Sequence, residues 1–263
     1  MNRRQRLGQH FLVDLGVARA VAEALPCEPP RVLEIGPGRG ALTRELVRRF
    51  PRVLTIEVDA RLAAALPARL GASGQLEVVT ADALLVDLVA LCGEVPWLAA
   101  GNLPYSVATP LLRRFLEAGE RFSAAVFMVQ QEVAERLVAP PGASDRGLLT
   151  LEVEAQARAE LLFRVPPRCF QPRPKVVSAV VRLTPVQGGT TPPETQHALD
   201  VAAKAFQHRR KTIVNALAAS YPRELVAAAV AGAGLAATAR AQELSLAQWQ
   251  LLAAALPAAE RGR

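Results

Sequence analysis

Cysteine and histidine are scarce in this 263-residue sequence, which contains three of each. The cysteines, Cys27, Cys92 and Cys169, are odd in number, lie far apart and show no Cys-x-x-Cys spacing. Such usage is typical of a reducing compartment and argues against a disulfide framework or a zinc site. The three histidines form no metal-ligand pattern either, so we expect a protein that binds no metal.

Long hydrophobic runs are missing as well. The longest uncharged stretches are 95–112, which contains prolines and an asparagine, and 225–239, which contains many small residues. Neither resembles a membrane span, which needs about 20 apolar residues. The basic start, Met1-Asn-Arg-Arg-Gln-Arg, is not followed by the apolar segment of an export signal. We therefore expect a cytoplasmic protein that does not interact with membranes.

The composition describes a folded, basic protein. Hydrophobic residues make up 51% of the chain and charged residues only 21%, which excludes a disordered chain. The sequence has 31 Lys and Arg against 24 Asp and Glu, a formal net charge of +7. A polyanion or an acidic surface is therefore a reasonable partner.

Apolar runs of strand length alternate with segments of helical periodicity. The runs are 32–35, 53–58, 76–79, 97–100 and 124–129, and the helical segments between them are 41–49, 61–70, 84–91 and 109–116. This alternation predicts an α/β fold with a doubly wound, mostly parallel sheet. A late strand is expected at 176–181, a linker at 184–193, and helices beyond it, where Ser245 and Gln248 fit a capping box. We predict a ligand-binding domain over 1–185 and a small all-α domain over 186–263.

Acidic residues lie at the ends of three predicted strands. The first belongs to Glu34-Ile-Gly-Pro-Gly-Arg-Gly40, whose glycines permit a tight turn and a close approach by a ligand. A dinucleotide site would normally have G-x-G-x-x-G, and a carboxylate would repel its pyrophosphate. Glu57 is placed to accept from ribose hydroxyls and Asp82 from an adenine amino group, although either residue could instead cap a helix. Together they favour an adenosine-bearing ligand with a cationic tail, such as S-adenosylmethionine.

Asn102-Leu103-Pro104-Tyr105 follows the fourth predicted strand. An adenine amino nitrogen is a poor nucleophile because its lone pair is delocalised into the ring. An Asn oxygen and a backbone carbonyl that accept from its N–H bonds favour a pyramidal nitrogen whose lone pair faces a methyl donor. Pro104 restricts the backbone and Tyr105 offers a ring for stacking. The alternative is an ordinary turn beside a core tyrosine.

Phe170, which precedes two prolines, is a candidate for a second ring against an extruded base, or else a core residue in a proline turn. Arg173 and Lys175 lie in a segment without acidic residues, which favours phosphate contacts. Arg209-Arg210-Lys211 is either a second phosphate-binding group or a solvated helix face.

These motifs, in this order, resemble the ribosomal RNA adenine dimethylase family, and within it the bacterial small-subunit type. The matching blocks are Gly8–Leu12 (GQHFL), Glu34–Gly40, Ile56–Asp59, Asp82, Asn102–Tyr105, Gln130–Leu137, Phe170–Ser178 (FQPRPKVVS) and Phe206–Thr212 (FQHRRKT), with Asn215 and Leu217. The sequence departs from the family at His10, where Asn is usual, and at Arg146, where an aromatic residue is common.

The resemblance implies a Rossmann-like class I methyltransferase fold and dimethylation of N6 on two adjacent adenosines near the 3′ end of 16S rRNA. It implies S-adenosylmethionine as cofactor and the assembling small ribosomal subunit as partner of a monomeric enzyme. It carries cofactor contacts over to His10, Leu12, Gly36, Glu57, Asp82 and Asn102. In this interpretation Tyr105 and Phe170 flank the target adenine. No residue is assigned as a catalytic proton acceptor, because the amino proton becomes acidic only as the new bond to the methyl group forms.

Three alternatives remain open. The large-subunit methyltransferases of the macrolide-resistance type share the catalytic motifs, although Asn102–Tyr105 and Phe206–Leu217 look like the small-subunit type. A non-enzymatic assembly or transcription factor could retain the fold, but Glu57, Asp82 and Asn102 argue against it. A nicotinamide-dependent dehydrogenase is disfavoured by Asn102–Tyr105.

Overall fold

The structure is a computed structural model that describes residues 9–71, 74–93, 96–186 and 191–258. The chain forms two compact units, one of Met1–Ala134 with Ala157–Gly189, the other of Glu135–Gln156 with Thr190–Arg263. The predicted boundary at residue 185 therefore misassigns 135–156, which folds with the C-terminal helices. The order of strands and helices along the chain does not indicate that a segment between two strands of one domain packs with another domain.

The first unit contains a seven-stranded sheet in the order β4-β3-β2-β5-β6-β9-β7. The strands are β2 (Arg31–Ile35), β3 (Arg52–Glu57), β4 (Leu76–Thr80), β5 (Trp97–Asn102), β6 (Phe122–Gln130), β7 (Ala157–Val165) and β9 (Ser178–Pro185). The β2, β3, β4, β5 and β6 strands pair in parallel, whereas β9 pairs antiparallel with both β6 and β7. The predicted doubly wound, mostly parallel sheet is confirmed.

Four helices connect the parallel strands, namely α2 (Ala41–Arg49), α3 (Ala60–Leu70), α4 (Leu88–Cys92) and α5 (Ala108–Ala118). The helix α1 (Leu15–Glu23) precedes β2, and α6 (Gln131–Leu137) follows β6. The helix expected over 84–91 begins only at Leu88, because Asp87 caps it by accepting from the Ala90 amide. Residues 82–86 are thereby left as a turn after β4.

Three strands were not expected from the sequence. The edge strand β7 has mostly half-exposed side chains, so no continuous apolar run marks it. A second, two-stranded sheet joins β1 (Phe11–Leu12) to β8 (Phe170–Gln171). Strands of two residues are too short to produce a periodicity, yet this pair ties the N-terminal segment to the loop before β9.

The second unit is helical, as predicted for the C-terminal part. Its helices are α7 (Leu148–Glu154), α8 (Pro193–Phe206), α9 (Ile213–Leu217), α10 (Arg223–Gly232) and α11 (Leu246–Ala254). Their core surrounds the buried Trp249 and includes Leu151 of α7. The Ser245–Gln248 capping box at the start of α11 is confirmed. None of the helices in the described ranges is long and apolar enough to cross a membrane.

A buried arginine joins segments of this second unit. Arg146 is fully buried and forms a bidentate pair with Glu154, with N–O distances of 2.6 and 2.7 Å. It also donates to the carbonyls of Ala139 and Leu244, at 2.7 and 3.0 Å. The bond to Leu244 joins 135–156 to the C-terminal part of the chain, and Leu151 packs in the same helical core.

The backbones of β5 and β2 approach closely at Gly101. A Cβ atom at Gly101 would lie 2.7 Å from the backbone oxygen of Ile35, which cannot move without distorting β2. A Cβ atom at Gly232, at the end of α10, would meet nothing within 4 Å.

We expect Gly101→Ala to lower the free energy of unfolding by about 1–3 kcal/mol, the usual cost of overpacking. Gly232→Ala serves as the matched control and should be neutral or stabilising by up to about 1 kcal/mol, because alanine is the better helix former. Urea unfolding of both variants measures the difference. Equal stability of the two would contradict the close approach of β5 to β2.

Candidate active site

A cavity opens in the first unit at the carboxyl ends of β2, β3, β4 and β5. Parallel strands end at the same edge of a sheet, and the loops that follow them form the usual ligand-binding crevice of this architecture. The cavity is lined by residues 9–11, 35–36, 38, 56–58, 81–84, 102–107 and 111. The structure thus brings together most of the residues singled out in the sequence, from His10 and Gly36 to Tyr105.

The glycine-rich loop between β2 and α2 forms one wall. Gly38 has a φ of 55°, in the left-handed region that favours glycine. A Cβ atom there would lie 2.9 Å from the ring of Phe11. The loop therefore presents bare backbone to the cavity.

Glu57, at the end of β3, is buried and holds this loop in place. Its Oε2 accepts from the Gly38 amide and its Oε1 from the Asp59 amide, both at 3.0 Å. A carboxylate oxygen has more than one acceptor site, so each keeps capacity for a ligand hydroxyl. The residue is thus both a support for the loop and a candidate ribose ligand.

Asp82 lies in the turn after β4 and is exposed. Its Oδ1 accepts from the Leu84 amide at 2.9 Å. The second carboxylate oxygen is left as an acceptor for a ligand at the cavity wall.

Asn102 occupies the end of β5, between the glycine-rich loop and the N-terminal segment. Its Nδ2 donates to the backbone carbonyl of His10 at 2.9 Å. Because a carbonyl can only accept, this bond fixes the orientation of the Asn102 amide. The Oδ1 atom is then the one that can accept a hydrogen bond from a ligand. After it, the Pro104 carbonyl accepts from the Val107 amide, which closes the turn into α5.

Tyr105 is held at both its edge and its face. Its hydroxyl shares a 2.6 Å hydrogen bond with the Ser178 hydroxyl, and its ring centroid lies 5.4 Å from that of His10. The His10 Nδ1 is 2.8 Å from the Pro172 carbonyl, so this nitrogen carries the proton. Burial raises the pKa of the Tyr105 phenol, which stays neutral.

Phe170 does not reach the cavity, contrary to the expectation of a second stacking ring. It is 2% exposed and packs in the hydrophobic core of the first unit, where its backbone pairs with Leu12. Leu12 is likewise buried and lines a smaller neighbouring cavity. The ring beside Tyr105 belongs instead to His10, whose aromatic role the sequence motif did not reveal.

Glu34 lines that smaller cavity together with Gly36, Gly38 and Asn102. It is 1% exposed, and among the described residues its Oε2 has no hydrogen-bond partner. Burial raises the pKa of Glu34 to about 8; the nearby Thr43 hydroxyl opposes this shift and the Glu57 charge adds to it. A buried carboxyl oxygen without a partner fits a cationic ligand group, which would donate to it and favour its ionised form.

The basic candidates fall in two places. Arg173 and Lys175 are exposed on the loop between β8 and β9 of the first unit. In the second unit, Arg209, Arg210 and Lys211 are all exposed, and Arg209 also donates to the carbonyls of Ser144 and Arg146 at 2.5 and 2.8 Å. Arg209 therefore supports the loop before α7, a role that a run of basic residues does not disclose.

We expect the stability difference between Glu34→Gln and the wild-type protein to depend on pH. The folded pKa of about 8 exceeds the ordinary value of 4.5, so wild-type stability falls as the pH rises between these values and levels off above 8. The variant lacks this titration, and its advantage should grow from pH 5 to pH 8. Urea unfolding at several pH values tests this; a constant difference would contradict the assignment.

Comparison with known proteins indicates the same family as the sequence motifs, over nearly the whole chain. The family model described as ribosomal RNA adenine dimethylase matches residues 1–257. The protein named ribosomal RNA small subunit methyltransferase A of Bordetella petrii is 40% identical over 96% of this chain and 95% of its own length. The protein of the same name from a Synechococcus strain is 39% identical over 95% of this chain and 91% of its own.

Two solved structures are similar over nearly their full lengths. A dimethyladenosine transferase from Plasmodium falciparum has a TM-score of 0.76 and 25% identity, covering 92% of this chain and 96% of that one. The 23S rRNA methyltransferase ErmE has a TM-score of 0.73 and 29% identity, covering 94% and 99%. The family model and these relatives together show that the chain belongs to the ribosomal RNA adenine dimethylase family.

Proposed function

We propose that this chain dimethylates N6 of two adjacent adenosines near the 3′ end of small-subunit ribosomal RNA, with S-adenosylmethionine as methyl donor. The observation that carries the proposal is the orientation of Asn102, whose Nδ2 is bound by the His10 carbonyl. Its Oδ1 is then an acceptor at the cavity that also contains Glu57, Asp82 and Tyr105. Relatives about 40% identical bear the name small subunit methyltransferase A, which supports the choice of RNA.

The donor's adenosine fits the wall formed by the strand ends. Asp82 would accept from the adenine amino group, and Glu57 from the ribose hydroxyls. Glu34 and the backbone of Gly36 would receive the amino-acid end, where the unpartnered Oε2 suits an ammonium group. S-adenosylmethionine supplies a methyl group made electrophilic by its positively charged sulfur. His10 and Leu12 would close this part of the site through the segment that contains β1.

The acceptor base fits between the Asn102 side chain and the Tyr105 ring. The amino group of a stacked base is out of reach of the cavity, so the base must leave its stack to enter it. Asn102 Oδ1 and the Leu103 carbonyl would accept from its two N–H bonds and turn the nitrogen lone pair towards the methyl group. The Pro104 carbonyl is already engaged by Val107. Tyr105, fixed by Ser178, would stack on the base.

The same acceptors serve both methylations. After the first transfer, the nitrogen keeps one N–H bond, which either Asn102 Oδ1 or the Leu103 carbonyl can accept. Proton loss follows bond formation to the methyl group, so none of the site's side chains needs to act as a strong base. His10 orients Asn102 through its backbone and remains a positioning residue in this scheme.

The wider RNA contact uses the exposed cations. Arg173 and Lys175 would bind phosphates beside the extruded base, and Arg210 and Lys211 a further part of the RNA. Arg209 supports the loop before α7 and adds positive charge beside Arg210 and Lys211. We also propose that the enzyme is a monomer and that it acts in the cytoplasm on the assembling small subunit.

The competing substrate is large-subunit RNA, because ErmE shares this fold at 29% identity. Higher identity to the small-subunit enzymes favours our choice. Mass mapping of both ribosomal RNAs, after incubation of unmethylated subunits with protein and donor, tests it. We expect dimethyladenosine at two adjacent positions near the small-subunit 3′ end. Modification of large-subunit RNA alone would refute the choice of substrate, and donor binding without any methylation would favour a non-enzymatic factor.

Asn102→Ala should lower the single-turnover methylation rate at saturating donor by about 100-fold, because it removes an acceptor needed mainly as the nitrogen becomes pyramidal. Asn102→Asp keeps an acceptor but cannot donate to the His10 carbonyl, so we expect a comparable loss. RNA affinity should change little in the alanine variant. A wild-type rate in Asn102→Ala would remove this residue from its assigned role.

Charge reversal at Arg173 and Lys175 should weaken binding of a small-subunit 3′-end RNA hairpin and flatten its salt dependence. Loss of two phosphate contacts lowers the slope of log affinity against log salt by about 1.5–2. Fluorescence anisotropy at several salt concentrations measures the slope. Arg19→Glu with Arg48→Glu makes the same change in net charge on α1 and α2 and should leave the slope closer to wild type. Equal effects of both pairs would indicate general electrostatics instead.

A further inference from the structure

Hydrogen bonds and the buried Ala83 hold the turn at 82–86. Asp82 and Leu85 are exposed, the latter to 81%, so apolar packing contributes little at these two positions. Within the turn, the Asp82 carbonyl accepts from the amides of Leu85 and Val86 at 2.9 and 3.0 Å. The Asp82 side chain accepts from Leu84. Such local bonds are compatible with more than one direction of the turn relative to the cavity.

Arg114 supplies the external support. Its Nη1 donates to the carbonyl of Leu84 and its Nη2 to that of Val86, the latter at 2.6 Å. The planar guanidinium donates in a fixed fork, so two bonds to alternate carbonyls define both the distance and the orientation of the turn. The contact is independent of the side chains that the turn carries.

The helix that carries Arg114 is itself firmly placed. The opposite face of α5 is buried through Leu111, Leu112, Phe115 and Leu116. The helix begins at Ala108, shortly after Tyr105, and Leu111 reaches the cavity. One helix therefore supports both the loop assigned to the acceptor base and the turn assigned to the donor adenine.

We propose that Arg114 is a positioning residue that sets the donor specificity of the enzyme by directing Asp82 at the adenine amino group. The inference rests on the proposed placement of the donor adenine at Asp82. Arg114 is not among the residues that line the cavity, so it acts through the turn. Its effect should therefore depend on the group at position 6 of the purine, which Asp82 faces.

A comparison of S-adenosylhomocysteine with S-inosylhomocysteine isolates this effect. The two ligands differ at the purine, where the inosyl compound has a carbonyl oxygen in place of the amino donor at position 6 and carries a proton on N1. A carboxylate directed at this position favours the amino group and repels the oxygen. A residue that only stabilises the fold would change the affinities for both ligands by the same factor.

The experiment measures both dissociation constants by calorimetry for the wild-type protein, Arg114→Met and Arg121→Met. Arg121 donates to the Gly93 carbonyl and is the matched control, an arginine that supports a different loop. We expect Arg114→Met to bind S-adenosylhomocysteine at least tenfold more weakly with little change for the inosyl ligand, so that discrimination falls. Arg121→Met should keep the wild-type ratio.

A double-mutant cycle tests whether Arg114 acts through Asp82. If it does, Arg114→Met should change S-adenosylhomocysteine affinity less than threefold in an Asp82→Ala background. Should Arg114→Met fail to fold, Arg114→Gln replaces it, because its shorter side chain cannot bind both carbonyls; the same fall in discrimination is expected.

The outcomes separate this inference from the proposed function. An unchanged ratio of dissociation constants in the Arg114 variant, with wild-type discrimination intact, would overturn the role of Arg114 and leave the site assignment standing. Equal weakening of both ligands would overturn it in favour of a structural role. A wild-type protein that binds both ligands equally would instead refute the placement of adenine at Asp82, and one that binds neither would refute the proposed donor.

Discussion

The backbone carbonyl of His10 can only accept a hydrogen bond, and this limitation orients the Asn102 side chain. The carbonyl is in place because β1 pairs with β8, which holds the N-terminal segment over the end of β5. The His10 ring extends the same connection to Tyr105 and to the loop after β8. The chemistry proposed for the amino group thus depends on a contact between residues that are 92 positions apart.

Much of the site could be predicted because parallel strands converge. The order of apolar runs implied that the strands carrying Glu57, Asp82 and Asn102 would end at one edge, and they do. The acidic residues sit where a ligand needs acceptors, so residue type and position along the strand carried the information. The seven-stranded sheet follows from the same alternation, with the exception of the half-exposed edge strand β7.

Other features of the fold and of the site depend on contacts between distant residues, and such contacts produce no pattern in the sequence. Phe170 is buried where its two-residue strand pairs with β1. The 135–156 segment belongs to the second unit, to which the Arg146 bond to Leu244 and the packing of Leu151 attach it. Arg114 and Arg209 both bind backbone carbonyls, which every residue possesses. An arginine whose partners are carbonyls therefore looks, in the sequence, like any surface cation.

The Arg146–Glu154 pair restricts the order in which this protein can change by mutation. Arg146 is fully buried, whereas the side chain of Glu154 is 35% exposed. Loss of Glu154 first would leave a buried guanidinium without a counter-charge, the costlier defect. Loss of Arg146 first leaves a carboxylate that water still reaches, together with space and two carbonyls to be satisfied. A stepwise replacement by an aromatic residue and a neutral partner is therefore easier when it begins at position 146.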